Sequence, residues 1–317
     1  MSNPRLTLSC GDYDRTRPLI EGAVRPRGID LSVIPLPSAE RHARFARDLE
    51  FDLCELQIVQ YLGLKAHGAP LTALPVFPHR RFHHSCVMVR KDAGIEQPEH
   101  LRGRRVGIHA WHNPIALWVR GTLQHDHGVA PETIQWVADA DEDVPGWTPP
   151  DWLQIERAPA GQSAERLLKA GAVDATLVAD VGVSEEGTSP ARRLWPNYRQ
   201  VEQEYYRRTG LFPIRHLVVV KQEVLERYPE VGPAVVQAFE DAKRQAYRYW
   251  ADHRRSYLAW FGAEQEEERA LLGADPWPYS VEANRVVLET VLDYAAEQGI
   301  TPHRLAVEEL FAPGTLD

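Results

Sequence analysis

Leu6-Thr7-Leu8-Ser9-Cys10-Gly11-Asp12-Tyr13-Asp14-Arg15 begins as an apolar, strand-like run, stops at a glycine, and empties into a polar turn. The same figure returns along the chain. Phe51 to Glu55 reads as a strand that runs into a helical stretch from Gln57 to His67, with Ser38 as a cap for an earlier helix to Leu49. Leu71 to Val76 and Ser85 to Val89 read as further strands. Arg104 to Ile108 repeats the pattern, with Asn113-Pro114 as N-cap and first helical residue and Gly128 as the stop. Short apolar runs alternating with amphipathic stretches predict βα units around mainly parallel sheets, hence an α/β fold.

A chain of 317 residues exceeds one typical core, so two compact units are expected. Lys91 to Gly103 reads as the connection into the second unit, and the β-branched run Leu217 to Val220 as the return to the first. This predicts a first lobe of residues 1–88 completed by 220–317, with a second lobe, 89–219, inserted between them. Within the second, Ala172 to Ala179 reads as a strand after a helix capped by Ser163, and Asp139 to Pro159 as a surface loop. Glu230 to Asp252, Val281 to Gln298 and Pro302 to Leu310 show helical spacing, the last two with Ser280 and Thr301 as caps.

Hydrophobic residues at 44% and charged residues at 26% are the balance of a folded, water-soluble chain. A net charge of -9 repels nucleic acid and acidic lipid, so neither is an expected partner. No run approaches the roughly 18 apolar residues of a membrane helix, and the N-terminus lacks the pattern of a signal peptide. Cys10, Cys54 and Cys86 are odd in number and sit in apolar runs, which suits reduced thiols and a cytoplasmic setting. Homo-oligomerisation stays open.

In open α/β sheets, ligands settle beyond the carboxyl ends of the strands. Gly11 to Arg15, Glu55 to Gln57 and Phe77 to His84 all lie there, as does His109 to Asn113 at a helix N-terminus that favours anions. His79-Arg80-Arg81-Phe82-His83-His84 is the densest cationic stretch of an acidic chain, and guanidinium forks suit carboxylates. A solvated basic loop would carry the same letters. His79 and His83 share one face of an extended segment, but without nearby carboxylates no metal is assigned. His216, beside Arg215 at the second crossing, is a candidate for proton transfer or a histidine packed at a hinge.

At these residues the chain resembles the 4,5-dihydroxyphthalate decarboxylase family. The likeness runs nearly end to end, through Cys10 to Thr16, Phe51-Asp52 with Glu55, Pro75 to Pro78, and Arg80 with Phe82, His84 and Ser85. Trp118 with Arg120-Gly121, Phe212-Pro213-Ile214 with His216, Asp275-Pro276 with Pro278-Tyr279, and Glu282 to Arg285 continue it. The resemblance implies a two-lobed, periplasmic-binding-protein-like fold of type II with a central ligand cleft. The chain departs from the family pattern at His79, Arg81, His83 and Arg215, and from its tyrosine-containing turn at Ala110 to Pro114.

The resemblance further implies a cofactor-independent decarboxylase of a hydroxylated aromatic acid, 4,5-dihydroxyphthalate or a close analogue. His216 and His84 are expected to move protons, with Glu55 or Asp14 orienting an imidazole. Arg15 and Arg80 would hold carboxylates, Ser85 and Tyr279 would supply hydrogen bonds, and Asp12, His112 and Asn113 complete the expected substrate contacts. The alternative is a solute-binding protein or receptor for a small aromatic carboxylate, because the fold is better known for capture than for catalysis.

Overall fold

The computed structural model describes residues 3–178 and 189–316. Its strands are β1 (Arg5–Cys10), β2 (Asp30–Pro35), β3 (Leu53–Gln57), β4 (Leu71–Arg80), β5 (Val87–Arg90), β6 (Arg105–Ile108), β7 (Gln135–Ala138), β8 (Ile155–Arg157), β9 (Ala175–Leu177), β10 (Ala191–Arg193) and β11 (Ile214–Lys221). They form two sheets, in the orders β2-β1-β3-β11-β4 and β10-β5-β9-β6-β7-β8. Both sheets are mixed. β1 pairs in parallel with β2 and β3, whereas β11 runs antiparallel to β3 and β4. In the second sheet β6 is parallel to β7 and β9, while β5 is antiparallel to β9 and β10. With helices packed on these sheets, the molecule is a two-lobed α/β protein.

Val87 and Met88, expected in the first lobe, pair in the second sheet with the rest of β5, and Ile214 to Val219, expected in the second, pair in the first. The chain therefore crosses at residues 81–86 and again between β10 and β11. The C-terminal helices divide between the two sheets' surroundings. Val231–Trp250 packs on β4, but Arg285–Glu297 packs on Pro114–His127. Gly121 permits that approach: a Cβ there would lie 2.1 Å from the Tyr294 ring, well inside van der Waals contact.

Local signals hold where the chemistry is local. Asn113 caps Pro114–His127, accepting from the amides of Ile115 and Ala116, and Gly128 ends it at φ 63°. Ser163 caps Ala164–Ala170. Elsewhere the expectations need correction. Ser38 is the first helical residue, preceded by Pro37, and Thr301 does not cap the final helix, which is only Val307–Leu310 after Ala306. The expected loop from Asp139 to Pro159 contains edge strand β8. The predicted strand end at Ala179 lies outside the described residues. Cys10, Cys54 and Cys86 are buried free thiols, and among the described residues no helix is long and apolar enough to cross a membrane.

Candidate active site

β3, the central strand of the first sheet, carries Glu55 into the interior, where its side chain has no solvent exposure. Its Oε2 accepts the amide of Gly11 at 2.8 Å, in the turn that follows β1. Oε1 accepts the hydroxyl of Tyr13 at 2.9 Å, faces Nδ1 of His216 at 2.5 Å, and lies 3.1 Å from Nη2 of Arg41. Arg41 is equally buried and donates its Nε–H to the Glu55 carbonyl at 2.9 Å. Burial alone would raise the Glu55 carboxyl, but the bond from His216, the Arg41 charge and the Gly11 amide outweigh it and hold the group below the usual carboxylate range.

The ionised Glu55 can only accept hydrogen bonds. Burial holds His216 below the ordinary imidazole value, against the pull of Glu55, so the ring is neutral with its proton on Nδ1. Nε2 is left with a lone pair: the protonation pattern of a general base. His79 and His42 stand edge-on to the same ring, at 4.8 and 5.0 Å between centroids. His79 is half-buried and is pushed down to about 2, by burial first and then by His216, Arg215 and Arg15. His216 pairs across strands with His79, and register shifts flank it on both sides. Such bulges re-aim side chains, here at the end of the strands that link the two sheets.

Beside this cluster lies a cavity of about 420 Å³. Arg80 at the end of β4, Arg81, Phe82 and Ser85 of the first crossing, Phe212 of the second, and Trp277 line one side. Arg193, Glu202 and helices Tyr198–Thr209 and Phe261–Leu272 close the other. Aromatic walls and guanidinium groups together suit a flat anion. The cavity lining does not include His216, which is 2% exposed; Arg15 lies 4.0 Å from the Trp277 ring centre and 4.5 Å from that of Tyr13, and is bonded to the Pro78 carbonyl at 2.6 Å.

The structure thus joins His216 and Glu55 directly and sets Arg15 beside them. Arg80 lines the cavity, with Nε and Nη2 on the Phe212 carbonyl, and burial pushes it down to about 10. Ser85 lines it too. Tyr279 is buried with its hydroxyl unbonded and Lys243 4.4 Å from its ring centre. The remaining expected residues stand elsewhere. Asp14 is exposed, bonded to Arg15 and Trp250, so Glu55 alone orients the imidazole. Asp12 pairs with Arg17 at the surface. His84 is wedged between Trp195 and Tyr205, turned to a small aromatic recess and not toward His216.

The anion site expected at His112 and Asn113 is filled from within. Glu142 accepts the amides of Trp111 and His112 and the His112 ring, while Asn113 occupies the amides of Ile115 and Ala116. The helix N-terminus has its carboxylate already. The sequence reading passed over Arg41, Tyr13 and His79 as site residues, and missed Glu202. Arg41 had one visible signal: it sits four residues before Phe45, on the face that the helix Ser38–Asp48 buries.

Comparison with known proteins finds relatives of this chain. Residues 27–145 match a family model described as NMT1/THI5 like. A 4,5-dihydroxyphthalate decarboxylase of Comamonas testosteroni is 32% identical over 326 aligned positions, covering 100% of this chain and 99% of the relative. A 4,5-dihydroxyphthalate decarboxylase of Pseudomonas putida is 32% identical over 184 positions, 56% of this chain and 71% of that one. Among solved structures, the periplasmic aliphatic sulphonate-binding protein SsuA of Escherichia coli aligns with a TM-score of 0.55 at 14% identity, covering 98% of each chain. The alkanesulfonate-binding protein SsuA of Xanthomonas axonopodis pv. citri, bound to MOPS, aligns at 0.54 and 14%, again over 98% of each. At such identities the structural likeness speaks for the fold alone, which is the two-lobed periplasmic-binding-protein type II fold.

Proposed function

The chain belongs to the 4,5-dihydroxyphthalate decarboxylase family, and from that membership we propose that it is a carboxy-lyase releasing carbon dioxide from a hydroxylated aromatic acid. The substrate is 4,5-dihydroxyphthalate or a close analogue, and no cofactor is required. A ring hydroxyl conjugated with the carboxyl-bearing carbon pushes electrons into that carbon once its proton is drawn away. Protonation of the carbon then gives a dearomatised intermediate that resembles a β-keto acid, and loss of carbon dioxide restores the ring.

The observation that carries this reading is the buried Arg41–Glu55–His216 arrangement. Arg41 cancels the Glu55 charge, Glu55 fixes the Nδ1–H tautomer, and Nε2 of His216 takes the phenolic proton. The developing imidazolium is stabilised by the same carboxylate. Arg80 in the cavity wall, with Arg15 behind Trp277, holds the substrate carboxylates, and Ser85 orients the ring. Because His216 is buried and does not line the cavity, substrate reaches it only with movement of the residues that cover it.

The test is to incubate purified, metal-stripped protein with a panel of hydroxylated aromatic carboxylates and measure carbon dioxide. Release from 4,5-dihydroxyphthalate or a near relative supports the reading. Tight binding across the panel with no release points instead to a solute-binding protein for such acids.

A further inference from the structure

His84 faces away from the cavity, but the carboxyl next to it does not. Glu202 projects from Tyr198–Thr209, a helix packed against the turn His84–Cys86. Its Oε1 accepts the amide of Ser85 at 3.2 Å and lies 4.0 Å from Nδ1 of His84. The backbone of His84 also bonds to this carboxyl, and the side chain lines the cavity while remaining only 12% exposed. Phe82, Phe212 and Trp277, which line the same space, are the surfaces on which an aromatic ring would rest.

We propose that Glu202 is the proton donor of the reaction, delivering its proton to the ring carbon that carries the departing carboxylate; this rests on the decarboxylase reading above. The O–H bond of Glu202 breaks as the C–H bond forms. The bond from the ring to the carboxyl then breaks, its electron pair restores aromaticity, and carbon dioxide leaves. His216 returns the phenolic proton it took, and Glu202 is reprotonated from water, so each turnover consumes one proton.

The surroundings keep this carboxyl able to donate. Arg81, His84 and Arg193 face it from the crossing turn and β10, Arg199 from its own helix, and Glu264, Glu267 and Glu268 from the helix across the cavity. Arg199 is taken by Glu264 and Glu267. Burial raises the Glu202 carboxyl to about 7, against the Ser85 amide and the charges of Arg81 and Arg193. A donor near neutrality is the useful one, since it is loaded with a proton yet releases it readily.

Glu202→Gln keeps a carbonyl oxygen for the Ser85 amide and removes the proton. Its kcat should fall by about a hundredfold to ten-thousandfold while KM changes by less than about threefold. Glu202→Asp should recover part of the loss. In the wild type, kcat should decline as pH rises through about 7, and difference infrared spectra should show a protonated carboxyl titrating there that is missing from Glu202→Gln. The inference is overturned if the Gln variant keeps wild-type kcat, if its loss lies in KM alone, or if no carboxyl titrates near neutrality. A wild-type protein that releases no carbon dioxide from any such acid removes reaction and donor together. An active wild type with an unimpaired Gln variant removes the donor alone.

Discussion

Nδ1 of His216 lies 2.5 Å from Oε1 of Glu55, although 161 residues separate them in the chain. β11 and β3 make the meeting possible by pairing antiparallel in the first sheet, with Val218 opposite Glu55 and His216 opposite Gln57. Replacing His216 with Asn keeps approximate size and one amide but abolishes proton transfer, so turnover should fall about a hundredfold to ten-thousandfold. Ligand affinity, measured by calorimetry, should change little. A variant that retains wild-type turnover would falsify the assignment of His216 as the base.

Glu55→Gln leaves the Arg41 guanidinium buried without its counter-charge. Breaking a buried pair on one side typically costs about 3 to 5 kcal/mol. Urea unfolding should show a loss of that order, and adding Arg41→Met should return much of it. A single variant as stable as the wild type would mean the pair is less enclosed than its zero exposure indicates.

Arg80 lines the cavity, whereas Arg15 stands behind Trp277 with its Nε on the Pro78 carbonyl. Arg80→Met should therefore weaken binding of an aromatic carboxylate by about 2 to 5 kcal/mol. Arg15→Met should cost less in affinity and more in turnover, because Arg15 joins Trp277 of the cavity wall to Tyr13, which bonds Glu55. Unchanged affinity in both variants would place the carboxylate site elsewhere.

The Glu202 carboxyl stands at about 7 in the folded protein against an ordinary value of 4.5. Between those values the native state binds more protons than the unfolded chain, so this group makes stability fall as pH rises. Below about 4.5 it is protonated in both states and contributes nothing. The stability of Glu202→Gln relative to wild type should thus grow by about 1 to 3 kcal/mol between pH 5 and pH 8. A pH-independent difference between the two proteins contradicts the raised value.

What the amino-acid sequence determined by itself is the part whose physics is local. The apolar runs of β1, β3, β6 and β11, the Asn113 cap and the Gly128 stop all act within a few residues, and each appears where its letters place it. Glu55 and His216 were legible as candidates because both lie at the ends of such runs. The three-residue β8, largely exposed at a sheet edge, carries no alternation to betray it and passed for loop.

Only the tertiary structure decided which charged groups meet. The filling of the second lobe's helix N-terminus by Glu142, the Arg41 counter-charge on Glu55, the turning of His84 to an aromatic recess and the opening of Glu202 onto the cavity all depend on segments about 14 to 117 residues apart. A carboxylate or imidazole has one set of letters whether solvated or enclosed. Its charge, tautomer and direction are set by the neighbours that burial brings to it, and those neighbours come from sheet pairing and helix packing rather than from adjacent residues.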